Sequence, residues 1–387
     1  MPLRDAFGLT GMIIDGRYRV DRVVGEGGFG VVYKATHLVL DGPVALKILK
    51  VPETLDADGR AAFTDAFREE GKLLFRLCSL HPSIVQAREA GVVIANDGIA
   101  RPYLALEWLE GIALDDELRF RRTHDGPALE LAEAMSLLDG VARGLGVAHE
   151  QRIAHRDLKP ANVFLVRREA GVDAKLLDFG LAKALDQSAS MTALFDRTAG
   201  AECVFTRRYG APEQWLRRLG ATGPWTDVHA LALLLVELLT LQPALQGEEA
   251  AELMGACLDK EVRPTPNTRG ARLPEQIDRV FARALAIDPR DRHRTVGEFW
   301  KALDDVARSC GTLPSHATVR ILGIPNPGES SPPSAGPAGV GVPSGTTDAS
   351  PMARNSTTVD SVEPFSRSRD ASRSPTLRGS SASPLRG

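Results

Sequence analysis

The chain has 387 residues, 47 Lys and Arg against 50 Asp and Glu, a formal net charge of −3 and 43% hydrophobic residues. That length exceeds one average domain, the apolar content can fill a core, and the near-balanced charge argues against a nucleic-acid partner. Cys78, Cys203, Cys257 and Cys310 stand far apart with no C-x-x-C spacing, which disfavours a disulfide framework or zinc site and favours a reducing compartment. The N-terminus lacks a signal-peptide core, and the longest nearly apolar run, 230–239, falls short of the about 20 residues a bilayer needs. A cytoplasmic protein without a membrane span is expected.

In chain order, the first informative segment is Gly25-Glu26-Gly27-Gly28-Phe29-Gly30-Val31-Val32, a G-x-G-x-x-G-x-V pattern. Glycines let a backbone turn lie close over phosphates. A dinucleotide fold uses similar spacing but starts a helix there, whereas Val31 to Thr36 is rich in β-formers, so a strand-turn-strand cover is expected. Val44-Ala45-Leu46-Lys47 follows, then a helical stretch over 59–77 carrying Phe67-Arg68-Glu69-Glu70, then the largely apolar run Tyr103 to Leu109. His155-Arg156-Asp157-Leu158-Lys159-Pro160-Ala161-Asn162 comes next, with Asp178-Phe179-Gly180 sixteen residues after Asn162. An aspartate that can take a proton from a hydroxyl, with an asparagine and a second aspartate as hard oxygen ligands for magnesium, suits phosphoryl transfer. His149 and His155, six apart with no cysteine near, are not spaced as metal ligands on one helix face.

Together these strings resemble a eukaryotic-type (Hanks-type) serine/threonine protein kinase, in particular the bacterial members: G-x-G-x-x-G-x-V, V-A-L-K for V-A-I-K, H-R-D-L-x-x-x-N and D-F-G occur in the family's order. The resemblance implies an α+β, two-lobed protein-kinase fold with a β-rich N-lobe over 18–109, a mainly helical C-lobe over 110–308 and a short extension, 1–17, ahead of them. It assigns nucleotide-cleft positions to Gly25, Glu26, Gly27, Gly28, Phe29, Gly30, Val32, Ala45, Lys47, Leu106, Glu107, Leu109 and Phe164, with Leu106 as gatekeeper and the backbone of Glu107 and Leu109 on the adenine edge. Lys47, on the third strand, would meet the phosphates and pair with Glu70, with Glu69 as the alternative because neighbouring helix positions point about 100° apart. Asp157, Lys159 and Asn162 would act in catalysis, and Asn162 and Asp178 would bind magnesium, with manganese as an alternative ion, alongside ATP.

Lys159 in D-L-K-P-x-N and Thr206, seven residues before Glu213, match the serine/threonine class. Gly210-Ala211-Pro212-Glu213 carries A-P-E, and Asp288-Pro289-Arg290-Asp291-Arg292 resembles the segment whose arginine anchors that glutamate. Asp227, before the run 233–239, would cap the catalytic-loop backbone. Phe205-Thr206-Arg207 departs from the usual G-T-P, which bears on substrate docking. Arg156 directly precedes the base, and an arginine there implies a phosphate partner in the activation segment. Thr198 is the first candidate phosphosite and Thr192 the second, through a transient homodimer phosphorylating in trans. Two alternatives are a nucleotide-binding pseudokinase scaffold, which would normally lack Lys47, Asp157 or Asp178, and a small-molecule phosphotransferase of kinase-like fold, which would normally lack A-P-E. From 309 to 387 a tail is expected: Ser, Pro and Gly make up 35 of the 77 residues from Gly311 onward, too little apolar surface to offset ordering entropy.

Overall fold

The computed structural model describes residues 3–27, 30–52, 55–168, 171–179, 206–313 and 319–323, apart from the side chains of Ala57, Ala66, Glu70 and Leu73. Strands β1 (Ile13–Ile14), β2 (Tyr18–Glu26), β3 (Gly30–His37), β4 (Gly42–Leu49), β5 (Ala87–Ile94) and β6 (Ala100–Glu107) form one antiparallel sheet in the order β1-β2-β3-β4-β6-β5. Side chains alternate across a sheet, and here the alternation separates two tasks. Val31, Tyr33, Ala35, Val44, Leu46, Ile48, Tyr103 and Ala105 build an apolar cluster on one face. Val32, Ala45 and Lys47 therefore fall on the other face, which looks into the cleft.

The first cluster is closed by the N-terminal residues. Phe7, Leu9 and Ile14 are buried in it, and the Asp5 carboxylate accepts from Thr10 N at 2.8 Å and Tyr33 Oη at 2.7 Å. Residues 3–17, read from sequence as an extension, are thus packed on the sheet and contribute its first strand, so Lys47 stands on the fourth strand and not the third.

Helix α1 (Ala57–Cys78) starts where Asp56 Oδ1 accepts from Gly59 N at 2.8 Å, an N-cap. Its buried Phe63, Phe67, Leu74 and Leu77 follow helical spacing and face β5 and β6.

After the sheet come β7 (Gly111–Ala113), α2 (Leu114–Thr123), α3 (Leu131–Glu150), β8 (Val163–Arg168) and β9 (Gly171–Leu176), with β7, β8 and β9 forming a small second sheet. Then follow α4 (Pro212–Trp215), α5 (Pro224–Thr240), α6 (Ala250–Leu258), α7 (Glu275–Ala284) and α8 (Val296–Ser309). Every residue of α5 from Thr226 to Leu239 is buried, which makes it the central helix around which α3, α7 and α8 pack. The result is an α+β fold with a strand-rich first lobe and a mainly helical second. Packing continues past residue 308: Leu313, Val319 and Ile321 lie against the second lobe's core, so part of the segment read as tail belongs to the packed body.

Candidate active site

The central helix carries the catalytic loop. Asp227, fully buried on α5, accepts from the backbone N–H groups of His155 and Arg156, both at 2.7 Å, and from His149 Nε2 at 2.9 Å. Val296 N donates to His149 Nδ1 at 3.2 Å, which fixes the proton on Nε2. Burial works against the Asp227 charge, but the His149 hydrogen bond, the nearby imidazoles and the backbone donors outweigh it and hold the carboxyl below the usual range. Arg156 sits at φ 63° and Asp178 at φ 49°, left-handed backbone that non-glycine residues avoid, so both bends are held by surrounding contacts.

Those bends bring the polar residues together. Lys159 Nζ lies 3.1 Å from Asp157 Oδ2 and donates to Thr206 Oγ1 at 2.8 Å. Thr206 donates through both N and Oγ1 to Asp157 Oδ1, each at 3.1 Å. Asn162 Nδ2 donates to the Asp157 carbonyl at 2.7 Å, and Leu177 N to the Asn162 carbonyl at 2.8 Å, which ties the strand before Asp178 to the catalytic loop. His155 lies against Phe179, ring centroids 5.1 Å apart, and hydrogen-bonds the Leu177 carbonyl through Nε2.

Lys47 Nζ is 2.6 Å from Asp178 Oδ1. Burial raises the Asp178 pKa, but the charge and hydrogen bond of Lys47, with His155 and Lys159 nearby, reverse the effect and keep it low. The Glu70 side chain is outside the described residues. Glu69 points to solvent and pairs with Lys72 at 2.6 Å, which removes it as the Lys47 partner.

Above the cleft, Gly27 N donates to the Gly30 carbonyl at 2.9 Å and closes the glycine turn, while Gly28 and Phe29 are outside the described residues. Gly25 and Gly27 face open space. Gly30 has no room for a side chain, because a Cβ would come 2.4 Å from the Ile48 carbonyl oxygen. Glu26 pairs with Lys50 at 2.9 Å. Sheet register places Val32 across from Lys47 and Ala45 across from Leu106, so these four share the cleft face, and Phe164 lies on β8 across from Ala113. The Glu107 carboxylate is taken by Lys175 Nζ at 2.5 Å and Gln86 N at 2.9 Å, a tie that the sequence did not signal. Leu109 packs against the core beside it.

The segment after the catalytic loop is anchored twice. Glu213 and Arg292, both fully buried side chains, form a two-pronged pair at 2.9 and 3.0 Å, and Thr226 Oγ1 donates to Glu213 at 2.7 Å. Gln214 Nε2 donates to the Arg156 carbonyl at 2.9 Å. Glu237 on α5 also accepts from Tyr209 Oη and Arg122 Nη2, a triad absent from the motif strings. Thr192 and Thr198 lie outside the described residues.

The sequence profile of the protein kinase domain family matches residues 18–299. The chain belongs to the protein kinase family. Kinases at similar distance include a probable serine/threonine-protein kinase of Corynebacterium efficiens, 30% identical over 79% of this chain and 44% of its own length, and PrkC of Bacillus subtilis, 32% identical over 74% and 40%. PknJ of Mycobacterium tuberculosis is 34% identical over 73% and 44%. A double mutant of the Mycobacterium tuberculosis PknI kinase domain superposes with TM-score 0.56 at 25% identity, covering 79% of this chain and all of that one. The chain spans less than half the length of these three curated kinases. No helix among the described residues is long and apolar enough to cross a membrane. Kinases of this family use ATP and a divalent metal ion.

Proposed function

We propose that the chain is a serine/threonine protein kinase that moves the γ-phosphoryl of ATP to protein hydroxyls, with Asp157 as base. The observation that carries this reading is the Asp157–Lys159–Thr206 cluster on an anchored activation segment. Asp157 Oδ1 is oriented by two donors from Thr206, and Lys159 sits at Oδ2, where it can also neutralise a transferring phosphoryl group. Lys47 supplies a second cation on the cleft face, and Val32, Ala45, Leu106 and Phe164 supply apolar walls for adenine, with Glu107 and Leu109 offering backbone groups.

For the metal, Asn162 and the ionised Asp178 fit. The Asn162 amide nitrogen is used on Asp157, which leaves its oxygen as the ligand atom, and no cluster of three or more ligating side chains occurs among the described residues. Two hard oxygens suit magnesium that arrives with phosphates and keeps its water. Bound there, the ion neutralises the triphosphate.

Complete chemistry disfavours a pseudokinase, and the Glu213–Arg292 anchor disfavours a small-molecule phosphotransferase. We read Thr198, then Thr192, as phosphate acceptors for Arg156, modified in trans between transiently paired copies in the cytoplasm. The test is to supply γ-labelled ATP and magnesium to wild type and Asp157→Asn with a protein substrate. Label on Ser and Thr in wild type alone supports the reading, and equal labelling overturns it.

A further inference from the structure

Away from the cleft, α2 buries an ion pair. Glu117 and Arg121, one helical turn apart, are 2% and 3% exposed, and Arg121 Nε donates to Glu117 Oε1 at 2.7 Å. A buried pair gains little unless its remaining donors and lone pairs are also used, because desolvation consumes the Coulomb attraction. Here they are used on main chain. Glu117 Oε1 accepts from Leu322 N at 2.9 Å and Oε2 from Gly323 N at 2.7 Å. Arg121 donates through Nη2 to the Arg320 carbonyl at 2.5 Å and through Nη1 to the Pro127 carbonyl at 2.8 Å.

Shape adds selection to these backbone contacts. Leu322 Cδ1 lies where a Cβ on Gly126 would come within 3.0 Å. A Cβ on Gly323 would stand 2.9 Å from Ile112 Cδ1 and 3.0 Å from Glu117 Oε2, so the position accepts only glycine without rearrangement. Ile112 belongs to β7, which directly follows the strand leading out of the sheet, and α2 packs on the turn Pro160–Asn162.

We propose that Glu117 and Arg121 form a backbone-reading seat on α2, filled in cis by this chain's own residues 319–323, which fastens the C-terminal segment beside the nucleotide cleft. An extended segment is the occupant that fits: two consecutive N–H groups meet one carboxylate, a preceding carbonyl meets one guanidinium, and the glycine allows the approach. The seat is separate from the phosphoryl-transfer reading and stands or falls without it.

The experiment is timed trypsin cleavage of the full chain, comparing the bond after Arg320 with the bond after Arg354, together with amide exchange at Leu322 and Gly323. Seated, the Arg320 bond is cut ~10-fold or more slowly than the Arg354 bond, and both amides are protected by a similar factor. Gly323→Ala alters only the segment and lowers the protection, because Ile112 Cδ1 and Glu117 Oε2 must give way, and Glu117→Gln, which keeps one acceptor oxygen, removes part of it; a melting curve for each shows that the body is still folded. Equal cleavage at both bonds in wild type, or protection unchanged in both variants, overturns the seat. Protection that falls on about hundredfold dilution means a second copy fills it, which overturns the cis assignment.

Discussion

Replacing Asp227 by asparagine tests whether the central helix holds the catalytic loop. In the native arrangement Oδ2 serves His155 N and His149 Nε2 while Oδ1 serves Arg156 N, all within 2.9 Å. The asparagine carbonyl can take the Oδ2 place, but its NH2 then faces the Arg156 N–H, donor to donor. One buried N–H without an acceptor costs about 1–3 kcal/mol, and two charge-assisted bonds that become neutral lose roughly 1 kcal/mol each. Relief from burying a charge offsets part of this, leaving about 3 kcal/mol of lost stability and a Tm lower by ~6 °C or more.

The stranded N–H belongs to a residue at φ 63°, a conformation costing about 1–3 kcal/mol that the lost bond helped to hold, and the next residue is Asp157. A shift of the base by about 1 Å lowers turnover ~100-fold. The KM for ATP should stay within about threefold, since Asp227 meets no cleft wall. Steady-state kinetics and thermal melts near pH 7 read both. The Asp227 pKa is depressed, so its contribution is complete above the unfolded carboxyl's pKa of about 4 and lost only as pH falls through the lower folded value; the comparison at pH 7 sets a full charge against an amide. A Tm within about 1 °C of wild type with unchanged turnover would refute the capping argument.

Asp157→Asn should cut turnover by several orders of magnitude with nucleotide affinity nearly intact, whereas Asp178→Ala should abolish metal-dependent nucleotide binding in calorimetry. Thr198→Ala combined with Thr192→Ala should lower activity at least tenfold if phosphate ordering through Arg156 operates, and phosphopeptide mapping of wild type against Asp157→Asn identifies the sites; full activity in the double variant dismisses the switch. His229, fully buried with neither ring nitrogen hydrogen-bonded among the described residues, has its pKa driven well below the normal value by burial and then by Arg292 and Arg263, and His293 is lowered to about 4 by burial and then Arg283. Below about pH 6.5 the unfolded chain gains protons that these imidazoles cannot hold in the fold, so stability should drop as pH falls, and His229→Leu should raise Tm at pH 7 and flatten its decline toward pH 5.

The lobes and the cleft were legible because phosphate chemistry demands particular residues at particular spacings. The motifs singled out Lys47, Asp157, Lys159, Asn162, Asp178, Thr206, Glu213, Asp227 and Arg292, and the structure groups them as Lys47 with Asp178, Asp157 with Lys159, Thr206 and Asn162, Glu213 with Arg292, and Asp227 with the catalytic-loop backbone. Strand alternation put Val32 and Ala45 on the face of Lys47 for the same reason that period-two patterns are readable at all. The F-x-x-E pattern favours Glu70 over Glu69 as the Lys47 partner, and one residue of helix phase separates them; the structure shows Glu69 exposed and paired with Lys72, while the Glu70 side chain lies outside the described residues.

The two ends of the packed body were hidden for a different reason. Composition counts apolar residues along the chain, but short segments are held by a few long-range contacts that composition does not register. At the N-terminus three buried side chains and one carboxylate suffice, because Asp5 satisfies two backbone N–H groups and the Tyr33 hydroxyl at once. Beyond residue 318 the polar holding groups are backbone N–H and carbonyl groups, which nearly every residue possesses, and the apolar ones are the scattered Val319, Ile321 and Leu322, too few for composition to register. The mark lies in the receiver: a glutamate and an arginine four apart, flanked on α2 by the buried Leu114 and Leu118, have a spacing common to surface ion pairs on helices, and their role follows only from both being withdrawn from water.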